Sequence, residues 1–578
     1  MSELVLKSNQ SLVVHRTPAP LVIYSSIINS TGGAARISLD MTNNVSKMAF
    51  GTARSSTKAG MGLVKVVVRP VGLKPLADLA EYLMLFGLSV GEGATTGTIN
   101  ACSEVVRVLQ QFFGDRESLS MAKEFMKTLG KEMRKTGKHI GVLDSWKCFT
   151  AWVSLQRYTK LQWREDYIFN GVREIVNEPV EVQVKKPKSM VYKSVKLWKR
   201  IIKIHKNHDG KHNEEPIINL EFSKDPAKLV DDLRHYIRFA NGTYGEKALA
   251  AFAEKLPVSK FDSEKEFYAN YCGISVADIV YYARHDNPVD FFSSEYIPNC
   301  CLSIDHQNAT VVLAFRGTLS ARDAVVDLHG EVLSLTLGDD PEPYLIHAGM
   351  LMVGSKAVAS HTTLYKKLLD LLENNPGYSL TLTGHSLGGA LASVVGILLA
   401  DPDTCHTRRD SGLPYCRVRV YAFACPGVMD TNSGDKCKNL ILTSIIGWDW
   451  LARISVNSVL EIRDAMLKLK SLDEESPGFL DKLLALQGHY DDSEEAKEYY
   501  DLRKAISEVH INQSEKTYPP GKIVWIHNSS HDEQKYSLHE VKDRSKVFSE
   551  ILFEEYNLTH HLPLMYDTVF TTMDHYFE

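Results

Sequence analysis

The chain has 578 residues, 44% hydrophobic and 24% charged, with a formal net charge of −5 at pH 7. This is ordinary globular composition, with material for a large core and roughly two to four domains, and it carries no global basicity that would point to nucleic acid. The start, Met1-Ser-Glu-Leu-Val-Leu-Lys, lacks the basic lead and apolar run of a secretory signal, and the nine cysteines are dispersed without C-x-x-C spacing. A reducing, cytoplasmic setting is the expectation, with no metal site read from the cysteines.

Residues 1–75 hold short alternating pieces such as Val64-Lys-Val-Val-Val68 between glycines and prolines, and predict a β-rich region. The region 76–215 turns helical. Its most apolar stretch, Leu76 to Val90, contains Asp78 and Glu81 and is too short to cross a bilayer. Within it, segment 184–206 places Val191, Val195, Trp198 and Ile202 on one helical face, with Lys193, Lys196, Lys199, Arg200 and Lys203 around them. A basic amphipathic helix of this kind fits an anionic membrane surface, although a solvated helix packed on the body reads equally from the pattern. The polar run 208–215 predicts a linker, so a catalytic domain is expected over 216–578.

In that domain strands and helices alternate. Leu229 to Gly245 reads as an amphipathic helix ending in glycine, and Val311-Val-Leu-Ala-Phe315 reads as a buried strand delivering Arg316-Gly317-Thr318 at its end. Further strands are expected at Val418–Ala424, Leu440–Ile446 and Lys522–Ile526. The implied fold class is α/β: a mainly parallel sheet with helices on both faces. The stretch 470–516, with Glu474-Glu475, Asp491-Asp492 and Glu494-Glu495, is expected as an acidic insertion on the surface.

The chemistry concentrates at Gly384-His385-Ser386-Leu387-Gly388, a G-x-S-x-G between the strand-like Ser379–Thr383 and the small, apolar run Ala390–Ala400. A serine on a tight strand-to-helix turn needs neighbours without side chains, and the helix start beside it offers free N–H groups. Ser386 is the expected nucleophile and the N–H of Leu387 an oxyanion donor. Gly317-Thr318, after a buried strand, supplies the second donor through Thr318. A serine hydroxyl needs a base and the base an acid, in the order Ser, acid, His for this elbow. Asp449 follows strand 440–446 and is preferred to Asp430 and Asp435, which precede it. Of the later histidines, His560 and His561 follow the last strand, and the residues alone do not choose between them.

Phe315-Arg316-Gly317-Thr318, Ile346-His347-Ala348-Gly349-Met350, Gly384-His385-Ser386-Leu387-Gly388-Gly389, Cys425-Pro426-Gly427, Trp448-Asp449, Tyr518-Pro519-Pro520-Gly521 and His561-Leu562-Pro563 together resemble the class 3 lipases. The likeness is greatest to their diacylglycerol lipase branch and covers roughly residues 225–570. It implies an α/β-hydrolase-like fold, Ser386, Asp449 and His561 as the catalytic set, Thr318 and Leu387 as oxyanion donors, and no cofactor. It also implies a lid over 319–346 with Val332, Leu333, Leu335 and Leu337 as its apolar residues. The expected activity is hydrolysis of glycerolipid esters, diacylglycerol foremost, at a membrane surface reached peripherally. Triacylglycerol lipase and phospholipase A1 remain alternatives, as does a non-catalytic lipid-sensing or interaction protein on the same scaffold.

Overall fold

The computed structural model describes residues 142–175, 180–181, 221–252, 261–283, 298–318, 331–338, 342–486, 493–511, 516–527, 535–553 and 557–577. The expected β-rich region 1–75, the basic segment 184–206 and the linker 208–215 lie outside them.

Fourteen strands are present among these residues. In chain order they are β1 (Val172–Glu174), β2 (Val180–Glu181), β3 (Ile279–Ala283), β4 (Cys300–Asp305), β5 (Thr310–Phe315), β6 (Val332–Leu335), β7 (Tyr344–His347), β8 (Ser379–His385), β9 (Ala400–Asp401), β10 (His406–Thr407), β11 (Val418–Phe423), β12 (Ile441–Ile446), β13 (Lys522–His527) and β14 (Lys535–Val541). One large sheet runs β1-β14-β13-β12-β11-β8-β5-β4-β3, with β2 also on β14. Its centre, β5-β8-β11-β12-β13, is parallel, and both edges are antiparallel. This is the mainly parallel sheet expected from the alternating pattern, in the α/β-hydrolase-like fold that the resemblance implies.

β5 reads as a nearly unbroken apolar run because both its faces are covered, whereas β8 and β12 bury Thr381, Thr383, Thr443 and Ser444 among their apolar residues and β11 carries Arg419. Side chains alternate across the sheet. Thr383 donates to the Tyr236 carbonyl at 3.3 Å, and Tyr421 stacks on Tyr236 at 4.4 Å, so these side chains meet helix Pro226–Gly242. On the opposite face, Val420 and Leu382 meet helix Leu387–Leu399 at Gly396, where an added Cβ would stand 2.5 Å from Val420 Cγ2. That helix is buried along nearly its whole length, in keeping with its small and aliphatic composition.

Residues 121–578 form one compact unit. It takes in residues ahead of 216: β1 pairs with β14, and helix Val142–Tyr158 buries Trp146, Phe149 and Trp152 against helices Val456–Glu475 and Phe479–Ala485. The acidic stretch 470–516 is more deeply integrated than a surface excursion. Leu480, Leu483, Leu484, Tyr500, Arg503, Ile506 and Lys516 are buried. Glu474, Glu475, Glu494 and Glu495 are exposed on helices that also bury apolar residues. Among the described residues no helix is long and apolar enough to cross a membrane.

Candidate active site

β8 ends at His385 and helix Leu387–Leu399 begins two residues later, leaving Ser386 alone to turn the chain. Ser386 adopts φ 59° and ψ −129°, a conformation that costs a non-glycine residue of order 1–3 kcal/mol and persists only where its surroundings enforce it. They do so here. A Cβ on Gly384 would stand 2.2 Å from the Gly388 carbonyl, and one on Gly388 would stand 2.2 Å from Phe315 O. The Ser386 N–H is held by Phe423 O at 2.8 Å. The two glycines of the motif are therefore fixed by backbone approach.

Three side chains distant in sequence converge at this turn. His561 Nε2 is 3.0 Å from Ser386 Oγ, and His561 Nδ1 is 3.0 Å from both carboxylate oxygens of Asp449. Ser386, Asp449 and His561 are 2%, 1% and 8% exposed, so the chain of contacts is almost wholly shielded from water. The Asp449 carboxylate also accepts from Leu451 N at 3.0 Å and from the Tyr566 hydroxyl at 2.9 Å. The choice left open between adjacent histidines is decided by the short helix Asn557–His561. It turns His561 to Ser386, while His560 Nδ1 accepts the Trp448 N–H at 3.0 Å.

The strand end expected to carry an oxyanion donor lies against the elbow. Arg316 N–H donates to Asn299 O at 2.9 Å, and a Cβ on Gly317 would stand 2.5 Å from His385 O and 3.0 Å from Ser386 Cβ. Thr318 follows directly. Leu387 is the first helical residue after Ser386, a position whose N–H has no acceptor one turn back within the helix. Of the expected lid, residues 319–330 and 339–341 lie outside the described residues. Val332, Leu333 and Leu335 lie on hairpin β6–β7, where Leu333 is 46% exposed; Val332, Leu335 and Leu337 are half-buried.

Sequence reasoning missed the supporting tyrosines. Tyr566 donates to Asp449 and accepts the Ile446 N–H at 3.1 Å. The Tyr244 hydroxyl lies 3.0 Å from His385 Nδ1 and against Gly317. Burial raises both phenols well above their ordinary range, so they remain hydroxyls. Burial, followed by the charge that His561 can carry, holds His385 well below the usual histidine range. It is thus a neutral ring 5.0 Å from the His561 ring. Tyr566 lies in helix Pro563–Phe577 and reads from the sequence as core, and Tyr244 follows the end of helix Pro226–Gly242, where the Tyr244-Gly245 pair matches the family pattern without showing what the hydroxyl touches. Among the described residues no group of three or more His, Cys, Asp or Glu side chains could hold a metal ion.

A strained serine between a parallel strand and a buried helix, facing a histidine fixed by a carboxylate, defines an α/β-hydrolase-like domain with a candidate nucleophile elbow. Residues 312–458 match the family model described as lipase (class 3). Mouse diacylglycerol lipase-beta is 28% identical over 200 residues, covering 34% of this chain and 27% of that protein. Human diacylglycerol lipase-alpha is 23% identical over 311 residues, covering 50% and 28%. A crystallised lipase from Rhizopus microsporus var. chinensis aligns at 16% identity with a TM-score of 0.33, covering 61% of this chain and 96% of that one. Residues 312–458 are thus similar to class 3 lipases, and the chain spans little more than a quarter of the length of either mammalian relative.

Proposed function

We propose that the protein is a serine lipase that hydrolyses acyl esters of glycerolipids, diacylglycerol foremost, to a monoacylglycerol and a free fatty acid. The observation that carries this reading is the single imidazole of His561 standing 3.0 Å from Ser386 Oγ on one side and 3.0 Å from the Asp449 carboxylate on the other. Likeness to proteins named diacylglycerol lipase supports the substrate.

Ser386 Oγ attacks the ester carbonyl carbon while His561 Nε2 takes its proton. The Asp449 carboxylate accepts the Nδ1–H, fixes the tautomer and stabilises the imidazolium. The N–H groups of Thr318 and Leu387 hold the carbonyl oxygen as it becomes an oxyanion. His561 returns the proton to the departing glycerol oxygen, leaving an acyl-serine. It then deprotonates a water whose attack releases the fatty acid and restores Ser386.

The reaction occurs at a membrane surface contacted peripherally from the cytosol. The basic segment 184–206 and the exposed Leu333 on the expected lid are the candidate contacts, and the eight free thiols among the described cysteines fit a reducing compartment.

The test is fatty acid release from vesicles of diacylglycerol, triacylglycerol or phosphatidylcholine by the purified protein and by Ser386→Ala. Preference for diacylglycerol, with a loss of at least about 10⁴-fold in the variant, is expected. Preference for one of the other lipids would make it a triacylglycerol lipase or a phospholipase A1. Release from none would leave a non-catalytic lipid-binding role. Sedimentation with the same vesicles, with and without residues 184–206, tests the membrane contact.

A further inference from the structure

We infer that His560 is a positioning residue for the acid of the triad, and that it holds Asp449 in place only while its own ring is neutral; its catalytic part rests on the hydrolase reading above. Asp449 sits on a tight turn, Gly447-Trp448-Asp449, at the end of β12. The turn is tethered at successive backbone groups. Gly447 N–H donates to Ile526 O at 2.7 Å, Gly447 O accepts from Trp525 Nε1 at 2.7 Å, and Asp449 N–H donates to Ile446 O at 3.2 Å. Trp448 N–H, directly before the acid, donates to His560 Nδ1 at 3.0 Å.

The first three tethers use groups that do not titrate near neutrality. The fourth uses an imidazole nitrogen as acceptor, which requires an unprotonated Nδ1. A proton there turns the acceptor into a donor and sets two N–H groups face to face.

The contact is close on both sides. Gly447 has φ +53°, and a Cβ on it would stand 2.5 Å from His560 Nδ1 and 2.6 Å from Cε1. The ring therefore fills the space that a side chain at 447 would take. Because His560 and His561 are consecutive on one short helix, the same tether sets the spacing between the turn carrying the acid and the segment carrying the base. Adjacent identical residues thus have different tasks: His561 exchanges the proton and His560 fixes what orients His561.

The charged and titratable groups around this corner are Asp449 on the turn, His561 on the same helix, His527 at the end of β13, and Arg164 and Arg453. The last two lie over the Trp448 ring at 3.8 and 5.6 Å. His527 packs on that ring at 4.6 Å, and burial, then Arg164, His539 on β14, His560 and Arg453, hold it well below the usual histidine range. Apart from Asp449, whose carboxylate is occupied by His561, Tyr566 and Leu451, these neighbours are cationic or imidazole.

His560→Asn keeps an acceptor oxygen near the Nδ1 position on a side chain that takes up no proton; His560→Ala removes the acceptor. The primary measurement is hydrogen–deuterium exchange at the Trp448 amide from pH 5 to 8, expressed as protection relative to the intrinsic rate. Protection is expected to fall with pH in the native protein, to persist in His560→Asn, and to drop about 10-fold at all pH values in His560→Ala. Equal protection in all three, or equal loss in both variants, would overturn the tether whether or not the protein cleaves any ester.

The second measurement is ester hydrolysis. The acid limb of kcat/KM in the native protein should approach second order, because two imidazoles must be neutral, and should become first order in His560→Asn. His560→Ala should lose about 10-fold in kcat at unchanged KM. Loss of the tether with unaltered kcat would overturn the positioning role. Absence of hydrolysis in every form would instead refute the lipase reading and leave the exchange result standing. Should His560→Ala fail to fold, the contrast between the native protein and His560→Asn decides both points.

Discussion

Two regions of the same domain bury full charges and use them differently. On the flank formed by helices Val142–Tyr158, Val456–Glu475 and Glu494–Ile511, Arg503 binds Glu550, the Gln156 carbonyl at 3.0 Å and Thr159 Oγ1 at 3.0 Å, and its guanidinium stacks on Trp163 at 4.3 Å. Lys516 is held by both oxygens of Glu461 at 2.7 Å and by Ser549 O. Every partner there is internal. At the corner beneath Ser386 the Asp449 carboxylate is equally well satisfied, yet the chain it starts ends at His561 Nε2, on the one hydroxyl that faces substrate in the proposed reaction. Burial with closed pairing makes a fastening; burial with one end left to a nucleophile makes a relay. The difference lies in where the last donor points, since the residue types overlap.

The largest test of this contrast is to open the flank. Arg503→Met leaves Glu550 buried beside Gln156 and Ser507 without its cation, and is expected to lower stability by about 3–5 kcal/mol. Hydrolysis per folded molecule should stay unchanged. Urea unfolding beside an ester assay separates the two, and a fall in kcat at full occupancy of the native state would mean the flank is coupled to the site.

Gly317→Ala makes the opposite cut. Its Cβ would meet Tyr244 Oη at 2.4 Å and His385 O at 2.5 Å, displacing the strand end that delivers Thr318. A loss of about 10²-fold in kcat is expected, the scale of removing one oxyanion donor, with KM and the far-ultraviolet circular dichroism little altered. Native-like kcat would remove Thr318 from the oxyanion hole.

The smallest effect concerns protons. Burial, reinforced by Arg164, holds His527 well below the usual histidine range, and neither ring nitrogen has a hydrogen-bond partner among the described residues. His385 is lowered in the same direction. The unfolded chain takes up protons near pH 6.5 where these folded rings do not. Their contribution is therefore present above that pH and lost as the pH falls below it, by about 1.4 kcal/mol per pH unit for each ring. Denaturant midpoints between pH 7.5 and 5.5 should fall accordingly, and His527→Phe should remove one ring's share; an unchanged slope would show that His527 is not held neutral.

By itself the sequence determined the parts whose physics is local. The G-x-S-x-G elbow, the continuous apolar run of β5 and the strand end at Gly317-Thr318 follow from glycine sterics and from a strand covered on both faces, and each was legible in consecutive residues. Asp449 was legible through its place at a strand end. Other features were not local and only the tertiary structure decided them. His561 and not His560 reaches Ser386 because a five-residue helix sets the rotation between neighbours. Tyr566 and Tyr244 support the site through hydroxyls whose partners lie 117 and 141 residues away in the chain. The acidic stretch 470–516 joins the core because composition averages over both faces of a helix, whereas packing uses one. A residue's partner across the fold is a property of where the backbone brings it, and that information is held by the whole chain.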